Sequence, residues 1–347
     1  MATPDSQQPT TKPPRGFVAS CLMPLVTKLF GNLSVKWVRR WARFFYYLTW
    51  PFTRQIRKVI RANLAIAFPE LGKLERNNLS KKNLQYIFEL GLDWLHFLSH
   101  PEDASKRLIL TQEILERKRK FQEDATLPPS IHCTLHLGNW ELCSHISEIS
   151  GRPGAAIAAR FNTPWLNDLA EQMRTGETDT LLIPAQGAAW GILRALKAKR
   201  DIGILIDQHI PPRKGGVFVK FFHLAVSVSP LPAVIAMRHR LPVNLLACYK
   251  RDDGNFTLDL ESLPRPVTEY SSAVELTQDI LYCYEKLIRR HPEQYLWLYR
   301  YWRTCPANAP QEYEERYPFY AKKHQRQTAD EAIFTVPPPA ATPPATP

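Results

Sequence analysis

The segment Leu135-His136-Leu137-Gly138-Asn139-Trp140-Glu141-Leu142 holds the residue types that a proton-transfer site needs. An imidazole takes up a proton near neutral pH. A carboxylate bonded to one ring nitrogen fixes the tautomer and stabilises the imidazolium, leaving the other nitrogen free to act as a base. Gly138 and Asn139 permit a tight turn, which would bring Glu141 back to His136. That is the base-and-orienter part of a serine-protease triad without a serine of the enzyme's own, so the nucleophile would be a hydroxyl of the substrate. The bland reading of the same pair is a polar contact at a strand end. Cys133 offers a rival, a thiol hydrolase using His136, although its place in an alternating strand favours packing. Four further residues are candidates for contact with a substrate. Arg160 has the plain reading of a surface arginine pairing with Asp168 or Glu171, and Arg213 and Lys214 sit in a proline-preceded loop where they meet anionic groups or only solvent. Asp207 ends a buried apolar run, where a carboxylate requires a partner, so a structural ion pair is favoured over direct catalysis.

The elements around these residues read as alternating strands and helices. Strands are expected at Ser130 to Leu135, Ala155 to Ala159, Thr180 to Ile183, Ile202 to Ile206, Val243 to Tyr249 and Phe256 to Leu260. Helices are expected at Lys81 to Leu98, Ser105 to Arg119, Glu141 to Ile149, Leu166 to Met173, Trp190 to Ala198, Pro232 to His239 and Ala273 to Arg290. This alternation predicts an α/β fold with a mostly parallel sheet flanked by helices. His136 then lies where a strand gives way to a helix, the place where ligand sites gather in open α/β sheets.

The charge is unevenly spread. The 347 residues carry a formal net charge of +12, yet Ser6 through Pro69 contain no Asp or Glu. Within that stretch Trp37, Trp41, Phe44 and Leu48 fall at helical spacing, while Arg39, Arg40 and Arg43 lie off the stripe. Cations mixed with Trp, Tyr and Phe suit a bilayer interface, so an N-terminal basic amphipathic membrane-associated helix is expected. Phe17 to Phe30 is apolar but short of the ~20 residues of a spanning helix. A basic chain also suits nucleic acid, but no nucleic-acid module appears and the cations cluster with an apolar face. The six cysteines form no C-x-x-C pair and no short zinc-ligand spacing, as expected of reduced thiols.

Several blocks, in order, resemble the bacterial lipid A biosynthesis acyltransferases. His136 to Glu141 matches the H-x4-D/E motif of that family, and Arg61 to Glu70 is similar to its RxNLxxAFPE segment. Ala159-Arg160-Phe161, the Asp207-Gln208 pair followed by Gly215 to Phe222, and Gln294 to Arg300 resemble three further blocks. His223, Ser227, Ser229 and Trp302 depart from the pattern, which bears on acceptor and chain length rather than on reaction type.

The resemblance implies O-acyl transfer from acyl-acyl carrier protein (or acyl-CoA) to a hydroxyl of a glycolipid, with no metal or other cofactor. His136 would be the base and Glu141 its orienter. Arg160, or N–H groups at a helix start after Gly138, would meet the oxyanion, and Arg213 and Lys214 would meet substrate phosphates or the acidic carrier protein. A lysophospholipid or aminolipid acceptor is the alternative. The implied setting is the inner membrane, with the site facing the cytoplasm. The chain then divides into a disordered stretch over 1–16, a membrane-associated helical segment over 17–61, an acyltransferase domain over 62–324 and a Pro-rich disordered tail over 325–347.

Overall fold

The computed structural model describes residues 26–324, apart from 28, 125, 160–166, 168–169, 172–173 and 176–177. Its centre is a seven-stranded sheet in the order β1-β9-β8-β2-β5-β3-β4. These strands are β1 (Leu108–Leu110), β2 (Ile131–Gly138), β3 (Gly154–Ala158), β4 (Thr180–Pro184), β5 (Asp201–Leu205), β8 (Val243–Lys250) and β9 (Phe256–Ser262). Every neighbouring pair is parallel except β8 with β9. The mostly parallel α/β sheet expected from the alternation is therefore present.

Central strands of such a sheet are covered on both faces, and all eight residues of β2 are buried. The odd-numbered side chains Ile131, Cys133, Leu135 and Leu137 join the main apolar cluster. That cluster also takes side chains from α2 (Arg54–Ala67), α7 (Ala188–Lys197), α8 (Leu231–His239) and α9 (Ala273–Arg290). On β8, Leu246 and Cys248 join a second cluster, with Phe97 of α3 (Lys73–Ser99), Ile114 of α5 (Gln112–Glu123) and Ile149 of α6 (Ile146–Ser150). The even positions of β2 carry the polar residues His132, Thr134 and His136.

Three elements differ from expectation. The polar helix expected from Ser105 is split into α4 (Glu102–Arg107), β1 and α5, because Leu108–Leu110 pairs with β9. The stretch after Gly138 does not enter a helix at Glu141; it forms a 3-10 turn over Leu142–Ser144 before α6 begins. A hairpin of β6 (Val217–Phe221) and β7 (Leu224–Val228) is additional to the expected strands. It accounts for the Gly215 to Phe222 block as a structural unit.

At the N-terminal end, α1 (Val35–Thr49) packs on α3 through Val38, Ala42 and Leu92. This leaves Trp37, Phe44, Tyr47 and Leu48 exposed, and Trp50 and Phe52 extend the apolar surface beyond the helix. Trp41, expected on the same outward stripe, is half-buried against Phe30 and Phe45. Among the described residues no helix is long and apolar enough to cross a membrane. Most of Phe17 to Phe30, the stretch 1–16 and the tail 325–347 lie outside the described residues.

Candidate active site

His136 stands near the carboxyl end of β2. Asp207 lies just past the end of β5, the adjacent parallel strand. His136 Nδ1 is 2.8 Å from Asp207 Oδ1, and the backbone N–H of His136 donates to Asp207 Oδ2 at 3.1 Å. Tyr295 donates its hydroxyl to the same Oδ2 at 3.0 Å. The Asp207 side chain is fully buried, so these three bonds replace the water it has lost. An ionised carboxylate can only accept, which puts the ring proton on Nδ1 and leaves a lone pair on Nε2. Nε2 faces the amide nitrogen of the exposed Gln208 at 3.2 Å, toward the surface.

The partner of His136 is thus Asp207 and not Glu141. The cause is local. Gly138 adopts φ +64°, and the Asn139 N–H is bonded to Cys248 O at 2.8 Å. This ties the turn down onto β8 instead of folding it back over the imidazole. Glu141 turns toward Arg174, which donates to it from Nε at 2.7 Å and from Nη2 at 3.2 Å. Trp140 Nε1 adds a third donor to Glu141 at 3.2 Å, while its ring lies 4.9 Å from that of His136. The Asn139 N–H, being committed to Cys248, is not free to meet an oxyanion.

The electrostatics follow from these contacts. Burial pushes the His136 pKa down, but the charge and hydrogen bond of Asp207, helped by Glu141, outweigh burial, and the net shift is upward. Arg174 acts against this rise, so its guanidinium is also felt at the ring. Burial pushes the Cys133 thiol up to about 12, and the side chain is fully buried. A thiol so placed is neutral and inaccessible, which removes the support for the thiol-hydrolase reading.

The segment behind the pair is held by two buried asparagines. Asn63 of α2 donates to the carbonyls of Trp297 and Tyr299, both at 2.7 Å. Asn83 of α3 donates to the carbonyls of Glu293 and Tyr295 at 2.9 and 2.6 Å. The Leu296 N–H donates to His136 O at 2.9 Å, closing the loop onto the end of β2. The Arg61 to Glu70 and Gln294 to Arg300 blocks are therefore parts of one support for Tyr295 and, through it, Asp207.

The other candidates are placed as follows. Arg160 lies outside the described residues. Arg213 and Lys214 are exposed on the turn Pro212–Lys214 that follows β5, and among the described residues they take no part in the bonds around His136. Asp207 is drawn into the His136 contact itself. Arg174 was missed, and nothing in its sequence surroundings singles it out. Among the described residues no group of three His, Cys, Asp or Glu side chains gathers as metal ligands.

The family model for the bacterial lipid A biosynthesis acyltransferases matches residues 7–304. The lipid A biosynthesis lauroyltransferase of Escherichia coli (strain K12) is 24% identical over 272 residues, covering 76% of this chain and 84% of that one. The lipid A biosynthesis acyltransferase of Haemophilus influenzae is 24% identical over 256 residues, covering 72% and 78%. The lipid A biosynthesis palmitoleoyltransferase of Escherichia coli (strain K12) is 22% identical over 271 residues, covering 74% and 82%.

Proposed function

The chain belongs to the bacterial lipid A biosynthesis acyltransferase family, and from that premise we propose that it moves a fatty acyl chain from acyl-acyl carrier protein to a hydroxyl of a lipid A precursor, with His136 as general base. The observation that carries the base assignment is the pair of environments around one ring. Nδ1 is bonded to the buried Asp207, and Nε2 is turned toward the exposed Gln208.

In this reading the acceptor hydroxyl displaces Gln208 at Nε2. The nitrogen takes the hydroxyl proton as the oxygen attacks the thioester carbonyl. Asp207 stabilises the imidazolium that forms. The tetrahedral intermediate collapses, the carbon–sulfur bond breaks, and the thiolate recovers the proton from Nε2. Glu141 has a supporting part, holding the Arg174 guanidinium by a bidentate pair beside the reacting centre. That cation, or Arg160, would offset the negative charge developing on the carbonyl oxygen. No metal and no further cofactor is invoked. Arg213 and Lys214, being exposed and cationic, suit the acidic carrier protein or a substrate phosphate.

We place the enzyme on the cytoplasmic face of the inner membrane, lying on the bilayer through α1. The exposed Trp37, Phe44 and Leu48 support this, together with the acid-free composition around them.

The test is a transfer assay in detergent with wild-type protein, His136→Ala and Cys133→Ala, offered acyl-acyl carrier protein and either a lipid A precursor or a lysophospholipid. Transfer to the precursor by wild type and Cys133→Ala, lost in His136→Ala, is the expected result. Transfer only to the lysophospholipid would change the acceptor. Full activity in a correctly folded His136→Ala would overturn the mechanism.

A further inference from the structure

Two of the hydrogen bonds that Asp207 receives come from His136 itself, through its backbone N–H at 3.1 Å and its ring at 2.8 Å. Among the described residues the one donor to Asp207 from outside the base is the Tyr295 hydroxyl, at 3.0 Å. That bond supplies what the pair cannot supply to itself, a hold on the carboxylate charge that stays the same when the ring gains or loses its proton. In a fully buried site no water replaces it, and a hydrogen bond to a charged group is among the stronger ones.

The Tyr295 ring is fixed on several sides. It is fully buried, stacks on Tyr301 with centroids 5.1 Å apart and planes at 16°, and meets Trp297 edge-on at 4.8 Å. Its backbone forms an antiparallel bridge with Leu137, the neighbour of His136, and its carbonyl accepts from Asn83 at 2.6 Å. The hydroxyl also keeps its proton, because burial and the Asp207 charge hold its pKa well above the ordinary tyrosine value.

The other groups around the pair are accounted for. Glu141 and Arg174, both felt at the ring, are bonded to each other. Tyr284 of α9, Tyr299 and Tyr301 feel the Asp207 charge, and burial pushes all three phenols up, so they are neutral at physiological pH. His209, two positions past Asp207, has its ring on Thr304 at 2.8 Å and its pKa lowered by burial and Arg303.

We propose that Tyr295 is a positioning residue that sets the strength of His136 as a base, by taking up part of the Asp207 charge that would otherwise bind the ring proton. The inference rests on the reading of His136 as the base and adds the residue that tunes it. With the hydroxyl in place, the imidazolium is stable enough to form when the acceptor gives up its proton. It is not so stable that the proton is withheld from the departing thiolate.

The test uses the full chain in detergent as wild type, as Tyr295→Phe, and with a ring-fluorinated tyrosine in place of Tyr295. Phenylalanine keeps the ring and removes the donor, whereas fluorine makes the phenol more acidic and so a stronger donor. The His136 titration is read from its ring signal by NMR, identified by its loss in His136→Ala, and from the acid limb of kcat/KM for acyl transfer. In Tyr295→Phe both midpoints should move up by about one pH unit, with the high-pH plateau within about threefold of wild type. In the fluorinated protein both should move down. Midpoints that stay in place in both proteins, whatever happens to plateau or melting temperature, reduce Tyr295 to packing and overturn its role. If thermal melting shows Tyr295→Phe unfolded, the fluorinated protein decides by sign: a downward shift supports the role, and an unmoved or upward one overturns it. A shifted NMR midpoint in a protein with no transfer activity keeps Tyr295 in place and sinks the acyl-transfer reading instead.

Discussion

At His136 the direction of the pKa shift fixes the sign of the pH response. In the proposed role the base must be unprotonated, and the His136 pKa lies above the ordinary histidine value because Asp207 and Glu141 outweigh burial. Activity should therefore fall as pH drops through a value above ~6.5. Asp207→Asn removes the charge that raises the pKa and leaves burial, which lowers it. The acid limb of kcat/KM should move to lower pH, and the plateau should fall by about 10²- to 10⁴-fold; an acid limb that stays in place would remove Asp207 from its role. Gly138 is a second critical position. A Cβ there would stand 1.6 Å from Cys248 O, at a backbone φ of +64°. Gly138→Ala should cost more than about 4 kcal/mol or prevent folding, read by thermal unfolding against wild type. His136 was legible in the sequence because its signal is local: an imidazole, turn residues and a strand end within one octapeptide. Its true carboxylate partner was not, because Asp207 arrives from another strand 71 positions away. Only the oddity of an acid closing an apolar run hinted at it. The bond expected from Glu141 to His136 is not made, because sequence spacing cannot say that Gly138 would be pinned to β8.

Most helices and strands were legible because each carries its own period. α9 was bounded correctly at both ends, with Ser272 accepting a cap bond from the Glu275 N–H and basic residues in the last turn. Where expectation failed, neighbours overrode local preference. The three residues of β1 became a strand only because β9 offers an edge, and the turn after Gly138 is held by β8. The outward stripe of α1 was legible except at Trp41, which Phe30 and Phe45 draw inward. Deleting this region is a poor test of membrane binding, since Tyr46 and Ile60 belong to the main core. Replacing Trp37, Phe44 and Leu48 by Ser avoids that, as all three are exposed. The triple variant should keep its circular dichroism spectrum and lose most of its partition into anionic vesicles. Undiminished partition would remove α1 as the contact.

For the molecule as a whole, the sheet order brings together what the chain separates. β2 receives β5 on one side and β8 on the other, and the segment around Tyr295 returns from beyond α9 to complete the surroundings of Asp207. His136, Asp207 and Tyr295 thus come from three distant parts of the sequence, Asp207 standing 71 positions after His136 and Tyr295 a further 88. Such contacts carry the loop-closure entropy of long chain segments and form slowly. Helices α3 and α9 can acquire backbone order from local bonds well before this. On dilution from denaturant, helical ellipticity should return first, and tryptophan burial around Trp297 and transfer activity should trail it together; recovery of all three at once would count against this order. On the proposed mechanism, the bond between His136 and Asp207 would also serve as a proofreading point for assembly, since a chain that mispaired its central strands would lack this contact and with it a competent base.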